Sequence, residues 1–188
     1  MKRHLIYLAF ILANACLVVA CQNNKTKEKT GRFPYESFEI RRGTNIAHWL
    51  SQSERRGEER TKFITEKDIM FIDSMGFDHI RLPIDEEQMW DETGKRNDDA
   101  FTLLNNCLDW CQKAGLRVVV DLHILRSHHF NAKVKPLWSV PAEQDKFIGF
   151  WKDLSSVLKD RPEAMVAYEF MNEPVADDPE EWNVLLAR

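Results

Sequence analysis

The sequence predicts an α/β fold that forms part of a (β/α)8 barrel, about the first four βα units. Amphipathic helical patterns alternate with short, apolar, β-prone runs, which is typical of a parallel sheet. Four such runs begin at intervals of about 42 residues, as expected for βα units with loops of moderate length. The 188 residues end within a further amphipathic pattern, whereas eight units need far more chain, so about half of a barrel is expected.

The first 21 residues are predicted to be a secretory leader. Lys2 and Arg3 precede a mostly apolar run, and a small residue then leads to Cys21, which is the order of a signal peptide. The run is shorter than the roughly 20 apolar residues of a membrane-spanning helix. Its ending resembles the lipobox of bacterial lipoproteins, which implies a lipid on Cys21 and a membrane-anchored protein of the cell envelope. Ordinary cleavage with secretion, or an uncleaved anchor, is the alternative.

The folded domain is expected to span residues 33–188. Residues 22–32 lack the apolar side chains needed for a core, so this segment is predicted to be a solvated tether. Cys107 and Cys111 are the two of the four cysteines that lie in the domain, four positions apart in a helical pattern. Small buried thiols are common at such spacing, so we assign both to packing rather than to a disulfide or a metal site.

The first complete unit of the domain is a helix followed by a strand. Thr65 is a predicted N-cap with Asp68 three residues later, and Gly76 supplies the C-terminal stop. The strand follows from Phe77 to Ile84 and is expected to be broken by Pro83.

The same alternation of helix, stop signal and apolar run predicts the other strands. One from Ile40 to Ile46 opens the series, and one from Leu116 to Ile124 follows a helix that ends at Gly115. The latter run is too apolar for a half-exposed strand, so we expect burial on both faces. A third helix stops at Asp160–Pro162, before a strand from Met165 to about Met171.

A last helix is predicted to start at Asp178. This residue has the chemistry of an N-cap, Pro179 occupies the first helical position and Glu181 the third. A complete four-stranded, doubly wound domain is the alternative architecture. The absence of a Gly-rich phosphate loop after the first strand argues against it.

The charge of the chain argues against nucleic acids as partners. The net charge is −4, and the Lys and Arg residues are scattered rather than arranged in a stripe. A nucleic-acid-binding protein needs concentrated positive charge to neutralise phosphates, so DNA and RNA are not expected as partners.

Polar side chains gather near the ends of the predicted strands. Arg81 lies in the second strand, Asp121 and His123 lie in the third, and Asn172 and Glu173 follow the fourth. In a (β/α)8 barrel the chemistry occurs at the carboxyl ends of the strands. A carboxyl group at the end of a buried strand is placed to have a raised pKa, so Glu173 is a candidate general acid. Alternatively, Glu173 caps the following turn or pairs with Arg81 or His123.

Four segments carry a family resemblance: Arg42–Asn45 with Trp49, Ile80–Pro83, Val120–His123 and Met165–Pro174. In order and strand position they resemble the amino-terminal half of a glycoside hydrolase of family 5, the cellulase family. The resemblance runs from about Phe33 to the last residue. Asn-Glu-Pro after an apolar strand is its most specific element.

The resemblance implies a retaining β-glycosidase that acts on a β-1,4-linked polysaccharide such as cellulose and needs no cofactor. Glu173 matches the acid/base, and Asn172 matches the residue that binds the sugar 2-hydroxyl. Arg81 matches the residue that keeps the nucleophile ionised, and His123 one that lines the cleavage subsite. Retaining hydrolysis needs a second carboxyl group about 5 Å from the first.

The family's nucleophilic glutamate lies on the seventh strand, for which this sequence has no counterpart. Glu169 is about 13 Å from Glu173 along an extended strand, which is too far for a retaining pair. The chain alone is therefore expected to bind glycan poorly and to hydrolyse nothing. A lipoprotein that binds glycans or assembles with a partner without catalysis, or an inactive gene fragment, is the alternative.

Two weaker patterns concern metal and aromatic residues. His123, His128 and His129 lack the spacing of a metal motif, so no metal site is predicted and the histidines are placed in a loop facing the substrate groove. Trp138 is a candidate sugar-stacking platform, with loop packing as the equal alternative, and packing is favoured for Trp90.

Overall fold

The computed structural model describes residues 33–188. The predicted leader, Cys21 and the tether at 22–32 lie outside the described residues. The strands are β1 (Gly43–Asn45), β2 (His79–Asp85), β3 (Arg117–Ile124) and β4 (Val166–Glu169). The helices are α1 (Gly57–Phe63), α2 (Glu66–Ser74), α3 (Glu86–Met89), α4 (Asp98–Ala114), α5 (Pro136–Ser139), α6 (Pro141–Leu158) and α7 (Pro179–Leu186).

The four strands form one parallel sheet in the order β1-β2-β3-β4, with helices in each connection. Thr44 pairs with Ile80, Ile80 with Val118, and Val118 with Val166. This sequential, parallel order confirms the predicted α/β fold, the first four βα units of a (β/α)8 barrel. Because all four strands run the same way, their carboxyl ends lie along one edge.

The two faces of the sheet differ in chemistry. Apart from Ile124 at the end of β3, the even-numbered residues of β2 and β3, such as Leu82 and Val120, are fully buried on the face that carries the hydrophobic core. The odd-numbered residues face the other way, because side chains alternate along a strand. On that face Asp121 is buried, but Val119 and His123 are only half-buried. The prediction that β3 is buried on both faces therefore holds for the core face and only in part for the other.

Local signals fixed the helix ends as predicted. The Asp68 carboxylate accepts a 2.8 Å bond from the Thr65 N–H at the start of α2. Gly115 ends α4 with φ of 76°, a left-handed conformation that glycine adopts without steric cost. The Asp178 carboxylate accepts a 2.9 Å bond from the Glu180 N–H at the start of α7.

The strand boundaries differ from the prediction, most clearly in β1, β4 and at Pro83. Both β1 and β4 are shorter than predicted, and Pro83 lies within β2 instead of breaking it, in register with Asp121. The Arg81 carbonyl accepts from Ile46 on the β1 side of the strand. The Pro83 nitrogen points to the same side, by alternation, but beyond the end of β1, so its missing N–H costs no ladder bond.

Packing accounts for both domain cysteines. Cys107 and Cys111 are free thiols, and both are buried in α4, where burial raises the pKa of Cys111 well above its usual value. This agrees with their predicted packing role. Among the described helices, none is both long and apolar enough to cross a bilayer.

Gly43 is predicted to tolerate no side chain. A β-carbon on Gly43 would lie 2.1 Å from Nε2 of His79, whose ring is held from the other side by a 2.6 Å bond to Asp78. Gly43→Ala is expected to lower the free energy of unfolding by about 1–3 kcal/mol through overpacking. Urea denaturation measures this loss.

The control is the double variant Gly43→Ala/His79→Ala, compared with His79→Ala alone. Removing the imidazole removes the clash, so adding the methyl group to His79→Ala should cost less than about 0.5 kcal/mol. An equal cost in both backgrounds would contradict the clash.

Candidate active site

Three charged side chains meet on the face of the sheet that lies opposite the hydrophobic core. Arg81 lies on β2, Asp121 on β3 and Glu169 on β4, and Asp121 and Glu169 are in register across the two strands. At these positions of the strands odd-numbered residues pair with odd-numbered residues. Because side chains alternate along a strand, all three project from the same face. Parallel pairing therefore brings together groups that are 40 and 48 residues apart in the chain.

Arg81 is the centre of this cluster. Its Nε and Nη2 bind the two oxygens of Glu169 at 2.7 and 2.6 Å, and Nη2 also lies 2.8 Å from Oδ2 of Asp121. The hydrogen bonds to Glu169 are the main cause of the raised pKa of Arg81. Such a bidentate pair fixes the plane of the guanidinium as well as its position.

Asp121 connects Arg81 to His123. Its Oδ2 lies 2.7 Å from Nδ1 of His123, while its Oδ1 is buried without a hydrogen-bond partner in the described part of the chain. Burial raises the pKa of Asp121, and the nearby His123 and Arg81 oppose this shift. Because the Asp121 carboxylate accepts a hydrogen bond from Nδ1, the ring proton of His123 lies on Nδ1. In the neutral ring Nε2 is therefore a hydrogen-bond acceptor.

Glu169 is the residue that sequence reasoning passed over. Its distance from Glu173 along the strand excludes it as the nucleophile, and the sequence predicts no other role for it, whereas the structure shows it as the main partner of Arg81. The family role transferred to Arg81 was to hold the nucleophile ionised; in residues 33–188 its carboxylate partners are Glu169 and Asp121. The shared odd parity of these residues is the signal that could have identified the contact.

Asn172 and Glu173 follow β4 at the carboxyl edge. Oδ1 of Asn172 accepts a 3.0 Å bond from Nη2 of Arg81, so Asn172 joins the cluster directly. Glu173 is exposed, unlike the buried carboxyl group that the sequence predicted. The reason is its place in the sheet: β4 is the outermost described strand, and no described strand covers its far side.

The backbone at Glu173 is unusual. Its φ is 42°, and that of Val175 is 39°, whereas residues other than glycine rarely adopt positive φ. The Glu173 carbonyl lies 3.0 Å from Nε2 of His128, a residue of the loop that follows β3. Backbone strain of this kind is concentrated at functional sites.

A second loop closes over the same edge. Asp85, the last residue of β2, accepts a 2.6 Å bond from the Gln52 N–H, and its own N–H donates to the Leu50 carbonyl. Burial raises the pKa of Asp85. The segment after β1 is thus tied to the end of β2.

The tryptophans divide between core and rim. Trp49 and Trp90 are fully buried and donate their indole N–H groups to the Arg60 carbonyl and to Asp153, so both are packing residues. Trp138 is half-buried, with its ring edge-to-face against His128 at 5.6 Å and Trp182 at 6.2 Å. Packing and a sugar platform are both compatible with this placement.

His123 and His128 do not form a metal centre with their neighbours. Within residues 33–188, no three side chains of His, Cys, Asp or Glu converge as metal ligands. His123 binds Asp121, and His128 faces a backbone carbonyl. Each of the two histidines thus binds another protein group near the carboxyl edge of the sheet.

A family comparison matches residues 39–187 to the cellulase model, glycosyl hydrolase family 5. Endoglucanase C from Acetivibrio thermocellus is 35% identical over 148 residues, which cover 77% of this chain and 43% of that protein. Cellodextrinase A from Ruminococcus flavefaciens is 30% identical over 136 residues, covering 71% and 40%. The chain thus spans less than half the length of these relatives.

The fold comparison agrees. The crystal structure of endoglucanase Cel5A from Thermotoga maritima is similar with a TM-score of 0.61 and 28% identity, covering 78% of this chain and 45% of that one. The same enzyme has been solved with cellobiose and with mannotriose.

Proposed function

This chain belongs to the cellulase family, glycosyl hydrolase family 5, and on that premise we propose that it supplies the proton-donor half of a retaining β-glycosidase. Glu173 is the acid/base in this proposal. Asn172 binds the sugar 2-hydroxyl, His123 and Trp138 contact the substrate, and Arg81 organises the charges between them. The reaction is hydrolysis of a β-1,4-linked glucan.

One observation carries the proposal. The Asn172–Glu173 segment lies at the carboxyl edge of a parallel sheet, and the Asn172 side chain is bound to an arginine that two carboxylates hold in place. In barrels of this type, groups at that edge meet the substrate. Asn172 is thus fixed relative to the sheet, and Glu173 is its immediate neighbour.

The chemistry requires two carboxyl groups with different roles. Glu173 protonates the leaving oxygen while a nucleophilic carboxylate attacks the anomeric carbon; Glu173 then takes a proton from the water that releases the sugar. The described sheet has four strands, whereas the family resemblance places the nucleophilic glutamate on the seventh strand. We therefore assign the nucleophile to polypeptide other than residues 33–188.

The relatives support a β-glucan as the substrate. Two of them are named for action on cellulose-type chains, endoglucanase and cellodextrinase. The Thermotoga enzyme was also solved with mannotriose, so mannan belongs in the assay beside glucan.

The test compares this chain alone with a fusion to the carboxy-terminal remainder of Endoglucanase C, which by family resemblance brings the nucleophile. The 188-residue chain alone is expected to release no reducing sugar from carboxymethyl cellulose or mannan. The fusion is expected to hydrolyse glucan with retention of anomeric configuration, read by proton NMR of the first product.

Two outcomes would overturn parts of this proposal. Hydrolysis by the chain alone would place a nucleophile within it. A fusion that is folded by circular dichroism and binds cello-oligosaccharides without turnover would favour a non-catalytic glycan-binding protein.

We also propose that the protein is a lipoprotein of the cell envelope, anchored through Cys21. The support is the sequence pattern of residues 1–21 alone, which lies outside the described structure. Metabolic labelling with radioactive palmitate should mark the chain and not its Cys21→Ser variant; equal labelling would refute the anchor.

A further inference from the structure

The loop after β3 carries a buried histidine that touches the backbone of the proposed acid. His128 is 1% exposed, and Nε2 of its ring lies 3.0 Å from the Glu173 carbonyl oxygen. A carbonyl oxygen only accepts hydrogen bonds, so Nε2 carries the ring proton and donates it. Glu173 is 45 residues further along the chain, so this bond joins two separate loops of the rim.

Two features keep this ring in one state. Burial lowers the pKa of His128, the bond to the Glu173 backbone opposes this shift, and the nearby Lys135 and His129 lower the pKa further, so the neutral form is favoured. Nδ1 is buried without a partner in the described part of the chain, which suits a lone pair better than a charged N–H.

The position of the ring is fixed as well. The backbone of His128 exchanges hydrogen bonds of 3.0 and 3.1 Å with Leu125, and the ring packs edge-to-face against Trp138 at 5.6 Å. The donor is therefore anchored to the residue that directly follows β3, the strand that carries Asp121 and His123.

The acceptor lies where the backbone needs support. Glu173 has φ of 42° and Val175 has φ of 39°, and positive φ is a sterically costly conformation for a residue other than glycine. Pro174 between them adds to this, because proline restricts the residue before it to extended conformations and has no N–H to close the turn. The hydrogen bond from His128 to the Glu173 carbonyl supports this turn from outside.

We infer that His128 is a positioning residue, which holds the Glu173 backbone in its left-handed conformation through the Nε2–H bond and so sets the direction in which the carboxyl group leaves the chain. The inference rests on the proposed role of Glu173 for its catalytic meaning. The bond itself can be tested without turnover.

The experiment uses the 188-residue chain and two matched polar variants. The amide nitrogen of glutamine in His128→Gln reaches the place of Nε2, whereas that of asparagine in His128→Asn reaches only the place of Nδ1. The 13Cα and 13Cβ shifts of Glu173 report its backbone conformation. We expect them to be retained in His128→Gln and to move toward extended values in His128→Asn. Lys133→Gln, at an exposed position of the same loop, is the control and should leave them unchanged.

A second measurement does not depend on a variant folding. In the wild-type chain, the 15N shifts of His128 should show a proton on Nε2 and a bare Nδ1 at neutral pH, with a through-bond coupling from Nε2 to the Glu173 carbonyl carbon. A proton on Nδ1 would overturn the inference. So would equal Glu173 shifts in the asparagine variant and the wild type.

These readouts separate the inference from the proposed function. If the fusion with Endoglucanase C fails to hydrolyse glucan, the shifts still decide whether His128 holds Glu173. If the fusion is active, His128→Asn should lower kcat by about 10²-fold through misplacement of the acid, with His128→Gln restoring most of it. Unchanged kcat in His128→Asn would refute the positioning role.

Discussion

Glu173→Gln is expected to lower glucan hydrolysis by the fused enzyme by about 10² to 10⁴-fold, the contribution of a general acid. Glutamine keeps the shape of the side chain, but its amide is too weak an acid to give a proton to the leaving oxygen. Binding of cello-oligosaccharides, measured by calorimetry, should change little. The initial rate on carboxymethyl cellulose gives the loss.

The leaving group supplies the internal control. An aryl β-cellobioside with a strongly acidic phenol needs little protonation, so its glycosylation step should be far less sensitive to Glu173→Gln than that of cellulose. Glu163→Gln is the matched variant, because Glu163 is exposed and precedes β4, at the opposite edge of the sheet. Equal loss on both substrates would reassign the acid.

Arg81→Met is expected to lower the free energy of unfolding of the chain by about 3 kcal/mol, because it leaves the Asp121 carboxylate without its cation. Asp121 is fully buried, whereas the Arg81 side chain keeps 26% exposure, which places the loss at the low end of the range for buried pairs. Urea denaturation followed by tryptophan fluorescence measures it.

The double variant Arg81→Met/Asp121→Asn tests the cause. It should be more stable than Arg81→Met alone, because the uncompensated buried charge is gone. Arg161→Met is the matched control, since Arg161 pairs with the exposed Asp109 and such pairs contribute about 1 kcal/mol or less. If Arg161→Met lowered the free energy of unfolding as much as Arg81→Met, burial of the partner carboxylate could not be the cause of the loss.

The pH dependence has a definite sign. Burial raises the pKa of Asp121 above that of the unfolded chain, so the folded state takes up a proton more readily and gains stability as the pH falls between the two values. Removing Arg81 removes a group that lowers this pKa, which enlarges the effect. The deficit of Arg81→Met should therefore shrink from pH 7 toward about pH 4, the range of an unperturbed carboxyl group.

The site shows where local patterns stop being informative. The sequence predicted that Asp121 and His123 lie in the third strand, and the Asn-Glu-Pro pattern placed Glu173 after β4. The Arg81–Glu169 pair spans 88 residues, and the contact of His128 with Glu173 spans 45. Contacts over such distances depend on the relative register of strands and the path of loops, which no window of sequence contains.

By itself the sequence determined the order of strands and helices, the caps at Thr65, Gly115 and Asp178, and the family. These follow from periodicity and from hydrogen bonds between residues a few positions apart. Only the tertiary structure decided that Pro83 continues β2, that Glu169 holds Arg81, and that Glu173 is exposed and strained. Each of these depends on which neighbour lies across the sheet, because the cost of a missing donor, a charge or a backbone angle is set by the partner that meets it.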